Sequence, residues 1–186
     1  MRTKLSALIL STACIIAFSS LPASAATIVL GVNGAAQACY EAAKAEDVRG
    51  LNVCTTALKE TLSPRDRAAT LINRSALRIR GGDPKGGLAD CDESIGAHEG
   101  LGEAHLNRGA ALLALGQANE AIEALNKSIE TGLKRPQLAY FDRALAKEQL
   151  GDAKGAYHDY KKALELAPDF NLAAEQLKRF RVITST

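Results

Sequence analysis

A four-residue pattern returns along this chain at intervals of 34 and 35 residues, and that period constrains the fold more than any other feature. Asn73-Arg74-Ser75-Ala76 reappears as Asn107-Arg108-Gly109-Ala110 and again as Asp142-Arg143-Ala144-Leu145. Gly82, Gly116 and Gly151 keep the same spacing, and five residues beyond each stands a small residue, Gly87, Ala121 or Ala156. Apolar residues between the glycines recur at helical steps, as in Ala121, Leu125 and Ile129. Each period therefore reads as two amphipathic helices parted by a glycine turn: 68–80 and 84–97, 103–115 and 118–131, 138–150 and 153–166. A lone hairpin of this size cannot bury its apolar face, so the hairpins are expected to stack. Aromatics at 4% with no Trp suit helices that approach closely through Ala and Leu.

The segment Leu150-Gly151-Asp152 through Ala163-Leu164-Glu165-Leu166-Ala167-Pro168-Asp169, and with it Leu115 to Leu133, resembles tetratricopeptide repeats. That family is built from 34-residue helix-turn-helix units with small residues at set points and a closing Pro. The resemblance implies an all-α, right-handed superhelical solenoid. Its expected units are a degenerate first hairpin at 34–67, repeats at 68–101, 102–136 and 137–170, and a capping helix with tail at 171–186. In the degenerate hairpin Ala38 aligns with Ser75, and Cys54 with Cys91. The cap is expected over Asn171 to Val182, with Leu172, Leu177 and Phe180 along one side.

Residues 1–25 read as a cleavable export signal. Arg2 and Lys4 precede an apolar run from Leu5 to Phe18, and Ala23-Ser24-Ala25 has the small-x-small form of a cleavage site. The mature chain is then expected to begin at Ala26, with 26–33 a short N-terminal segment, in the periplasm of a bacterium. Arg2 and Lys4 account for two of the 23 basic residues, which leaves 21 against 21 Asp plus Glu. A neutral chain without a basic patch gives no electrostatic footprint for nucleic acid.

Export would place Cys39, Cys54 and Cys91 where disulfides persist. Cys39 and Cys54 are expected to pair across the first hairpin. Cys91 aligns with Leu125 and Tyr160 and is expected in the core. Asp90, Asp92 and Glu93 read as a solvated acidic face. Gly81 to Gly87 lacks the Lys-Ser/Thr pair of a phosphate loop, and Cys91, His98 and His105 lack zinc spacing. No catalytic set, cofactor or metal is expected.

Arg74 and Asp90, like Arg143 and Asp159, stand 16 residues apart, so each arginine is expected to cross its hairpin as a structural ion pair. Arg108 meets Ala124 at that spacing and is left to a neighbouring acid or solvent. By resemblance, the inner surface made by the first helices takes a protein or peptide partner. This places Ile72, Asn73, Ile79, Arg80, Leu106, Asn107, Leu113, Phe141, Asp142 and Leu145 near the groove. Asn73 and Asn107 resemble the clamp asparagines of tetratricopeptide co-chaperones, but Ala69, Glu103 and Leu138 stand where the clamp lysines would be. The expected function is a periplasmic protein-binding scaffold or assembly factor with an apolar-anchored partner. The alternative is a thiol-redox or passive structural module using Cys39 and Cys54.

Overall fold

The computed structural model describes residues 5–6, 26–27, 34–180 and 183–184. The expected leader therefore falls outside the described residues apart from Leu5–Ser6, which pairs antiparallel with Ile183–Thr184. Elsewhere the described chain is helical: α1 Gly34–Lys44, a 3-10 turn Val48–Gly50, α2 Leu51–Ala57, α3 Pro64–Arg80 and α4 Pro84–Ala97. There follow α5 Gly102–Ala114, α6 Ala118–Thr131, α7 Pro136–Gln149, α8 Ala153–Leu166 and α9 Asn171–Leu177. Each helix packs on its chain neighbour, and the first helices α3, α5 and α7 also touch in series.

The glycine turns share one mechanism. Gly82, Gly116 and Gly151 have φ of 83°, 75° and 78°, in the left-handed region that costs glycine no Cβ clash. The next residue's N–H then reaches back to close the preceding helix: Asp83 to Arg78 O, Gln117 to Leu112 O and Asp152 to Lys147 O. Asp83 and Asp152 go on to cap the following helix by accepting from Gly86 and Gly155 N–H. Close approach within hairpins is the second device. A Cβ at Gly109 would lie 2.6 Å from Leu125 Cγ, and one at Gly102 would lie 2.1 Å from the Gly132 carbonyl oxygen. Ser94 and Ser128 complete it, donating to the Ala68 and Gly102 carbonyls at the mouths of successive hairpins.

Two boundaries differ from expectation. The helix expected over 68–80 begins four residues earlier as α3, because Ser63 accepts from Asp66 N–H and Pro64 opens the first turn. The expected cap over 171–182 ends as α9 at Leu177. Its chain tightens there into Arg179-to-Gln176 and Phe180-to-Leu177 bonds, with the Phe180 ring 5.8 Å from that of Tyr157 and 6.0 Å from that of Tyr160.

The core is a string of clusters. Cys39, Ala43, Cys54 and Leu77 form one, Ala68, Ala69, Ile72, Leu101 and Ala104 another, and α5 to α9 share the largest. Cys91 is buried, and burial pushes its thiol up to about 12, with the Asp90 and Asp92 charges acting the same way against a lesser opposing hydrogen bond from Ser75. A folded chain beginning at Ala26 should therefore take up no thiol reagent at pH 8. Denaturant should expose one thiol, and denaturant with reductant three; labelling of the folded protein would contradict a closed core.

Candidate functional site

The first helices meet along one side of the stack, and Asn107 of α5 lies fully buried there. Its Oδ1 accepts the Ala26 N–H at 2.7 Å, and its Nδ2 donates to the Ala26 carbonyl at 3.1 Å. The same Nδ2 faces Ile72 O at 3.1 Å and Ser75 Oγ at 3.0 Å on α3. One side chain thus binds both polar groups of a residue 81 positions away and fastens two hairpins together. Ala26 is 6% exposed and belongs to the core cluster that includes Leu106 and Leu138. A cleft of about 240 Å³ continues beside it, lined by Thr27, Lys44, Glu103, Leu106, Arg135 and Leu138 among others.

Asn73 and Asp142 hold the equivalent positions on α3 and α7, and both are buried. Ile72 and Leu106 are fully enclosed, and Ile79, Leu113 and Leu145 nearly so. Phe141 is a core ring, 5.5 Å from Tyr160 and 5.3 Å from Phe170. Arg80 turns to Glu46 at 2.8 Å. The apolar stripe expected at the surface is mostly interior, because the first helices pack on each other as well as on their own partners. Asn107, within that stripe, holds a backbone segment from outside its repeat.

The ion pairs lie within the hairpins. Arg74 grips Asp90 with two bonds of 2.9 and 2.7 Å, and Arg78 adds a third at 2.7 Å. Arg143 and Lys147 hold Asp159 in the same way. Burial by itself would raise the Asp159 carboxyl, but the hydrogen bonds from Arg143 and Lys147 outweigh it and hold the group below its ordinary value. The reading of Asp90 as part of a solvated face is corrected: it is 2% exposed, since two cations one helical turn apart enclose it. Sequence reasoning missed Arg78 and Lys147, although their four-residue offset from Arg74 and Arg143 was the available signal. Arg108 reaches back to Asp92 at 2.8 Å. Glu93 meets Arg67, so every member of the acidic run has a partner.

Cys39 and Cys54 form a disulfide between α1 and α2, with Cα atoms 4.6 Å apart. Neither residue is exposed, which leaves an attacking thiolate no approach to either sulfur and counts against the thiol-redox alternative. Among the described residues no group of three His, Cys, Asp or Glu could hold a metal ion. No described helix is long and apolar enough to cross a membrane.

The tetratricopeptide repeat family model matches residues 102–131 and 138–170, the two hairpins α5–α6 and α7–α8. No curated protein matches the chain. Solved structures do. An Arabidopsis OM64 tetratricopeptide domain is 24% identical over 62% of this chain and 95% of that one, with a TM-score of 0.59. MamA is 18% identical over 81% and 82%, with a TM-score of 0.61. The first tetratricopeptide domain of Spaghetti (RPAP3), solved bound to an HSP90 peptide, is 21% identical over 62% and 93%, with a TM-score of 0.58. At such identities the likeness extends to the fold alone.

Proposed function

We propose that this chain, two of whose hairpins match the tetratricopeptide repeat family, is a scaffold that binds a partner protein along its first helices, by an extended segment held at Asn107. The observation that carries this reading is that one Asn107 side chain accepts from the N–H and donates to the carbonyl of a single residue. Such a clamp reads backbone, so it takes a peptide without regard to most side chains. The fold generally serves protein interaction and not catalysis, and related domains are solved with bound peptides. Those peptides end in Glu-Glu-Val-Asp, whereas this chain has Ala69, Glu103 and Leu138 in place of the clamp lysines. An apolar-anchored partner, held with mild salt dependence, is the better match.

Export to the periplasm belongs to the same proposal and rests on the leader-like residues 1–25. Intact mass of the secreted protein should show their loss. The exported protein and its Asn107→Ala variant are then crosslinked in periplasm and their captured proteins compared, with helicity checked by circular dichroism. A partner held by the parent and lost by the folded variant supports the groove. Identical capture by both moves binding away from Asn107.

A further inference from the structure

We propose that residues 26 and 27 are a built-in occupant of this groove, an intramolecular peptide that a partner must displace. The inference rests on the groove reading and adds what fills the groove and what sets its apparent affinity. Three observations on independent groups converge on Ala26. Its backbone satisfies both ends of the Asn107 amide. Its methyl group is buried in the cluster that includes Leu106 and Leu138. The cleft beside it continues past Thr27 between α1, α5 and the 133–138 segment.

Asn107 belongs to a row of polar residues on the first helices, and a buried amide there needs partners of its own. Nδ2 shares its two hydrogens among Ile72 O, Ser75 Oγ and the Ala26 carbonyl, while Oδ1 accepts from Ala26 N–H. A bound segment therefore completes the site, and the chain supplies one from its own N-terminal side. The side chain at the clamp is small. It is 6% exposed and packs in the cluster of Leu106 and Leu138. The kind of partner that fits is accordingly an extended peptide with a small residue at the clamp, as in the chain's own Ala26-Thr27. Cleavage after Ala25 would leave the clamped nitrogen as the α-amino group, which still donates to Oδ1.

Tethering makes the internal peptide a strong competitor, since a short linker holds it at millimolar effective concentration. If it fills the groove about nine-tenths of the time, an external peptide of the same affinity binds about tenfold more weakly than to an empty groove. The test uses the full exported chain and a fluorescein-labelled peptide of residues 26–33, read by fluorescence anisotropy. Ala26→Arg should displace the segment from Leu106 and Leu138 and empty the groove, while the changed residue itself lies outside every helix. The variant is expected to bind the peptide about tenfold more tightly than the parent. The double variant Ala26→Arg/Asn107→Ala should lose that gain. Circular dichroism should show the same helicity in parent and Ala26→Arg. Equal peptide affinity for parent and Ala26→Arg, at equal helicity, would overturn internal occupancy. That result leaves the partner-capture comparison of parent and Asn107→Ala intact as a separate test of the groove.

Discussion

Replacing Asp90 by Ala should destabilise the protein by about 3 kcal/mol, the cost of removing one member of a buried ionic group. The carboxylate accepts three bonds from Arg74 and Arg78, whose side chains are 13% and 24% exposed. Without it the largely buried Arg74 guanidinium loses its carboxylate, and Arg78 is left to Asp83, 3.9 Å away and 58% exposed. Urea unfolding followed by circular dichroism measures the loss. Arg108→Ala is the internal comparison, because its pair with Asp92 is 33% and 54% exposed and should contribute under about 1 kcal/mol. The middle hairpin shows that the charged group is one solution among others. Leu112 and Ala124 stand where the flanking hairpins have Arg78 with Asp90 and Lys147 with Asp159, and the hairpin packs as closely. A loss below about 1 kcal/mol in Asp90→Ala would mean that water reaches the arginines and the group is not sealed.

Converting Cys39 and Cys54 together to Ser should destabilise the first hairpin by about 3 kcal/mol in the chain-entropy account, the figure for a closed loop of this size. That hairpin has little else to hold it. Its own cluster is Cys39, Ala43 and Cys54 against Leu77 of α3, and α2 is only 7 residues long. The effect should be local: faster hydrogen exchange over 34–57 while α5 to α8 keep their protection, since a stacked repeat depends chiefly on its neighbours. Reductant added to the parent should reproduce it. Uniform loss of protection along the whole stack would instead make the first hairpin part of a single cooperative unit.

The period and the turn glycines are legible in the sequence because a helical hairpin is a local object. Its length, its stop at a left-handed glycine and its small-residue contacts all lie within about 34 residues of sequence. The family match to 102–131 and 138–170 follows that legibility. The hairpin of α3 and α4 lies outside it, where Gly87 stands in place of Ala121 and Ala156 of the matched hairpins, and Gly96 in place of their Glu130 and Glu165. The arginine-to-aspartate crossings are readable for the same reason, as a 16-residue offset is the width of one hairpin. The cysteine pair is readable because Cys54 aligns with Cys91 of the next hairpin, which puts Cys39 and Cys54 on the two facing helices of the first.

What the sequence determined by itself, then, is the hairpin, its repetition and the contacts inside it, since these follow from a period of 3.6 residues and from where glycine and proline interrupt it. Tertiary structure alone decided which face of each first helix is interior. Phe141 reads as a groove residue until the rings of Tyr160 and Phe170 close around it. Tertiary structure also decided that Asn107 would meet Ala26, 81 residues earlier. No local pattern encodes that meeting. It depends on the rotation between successive hairpins, which brings the first helices together along one side and sets a buried amide where a passing backbone can satisfy it.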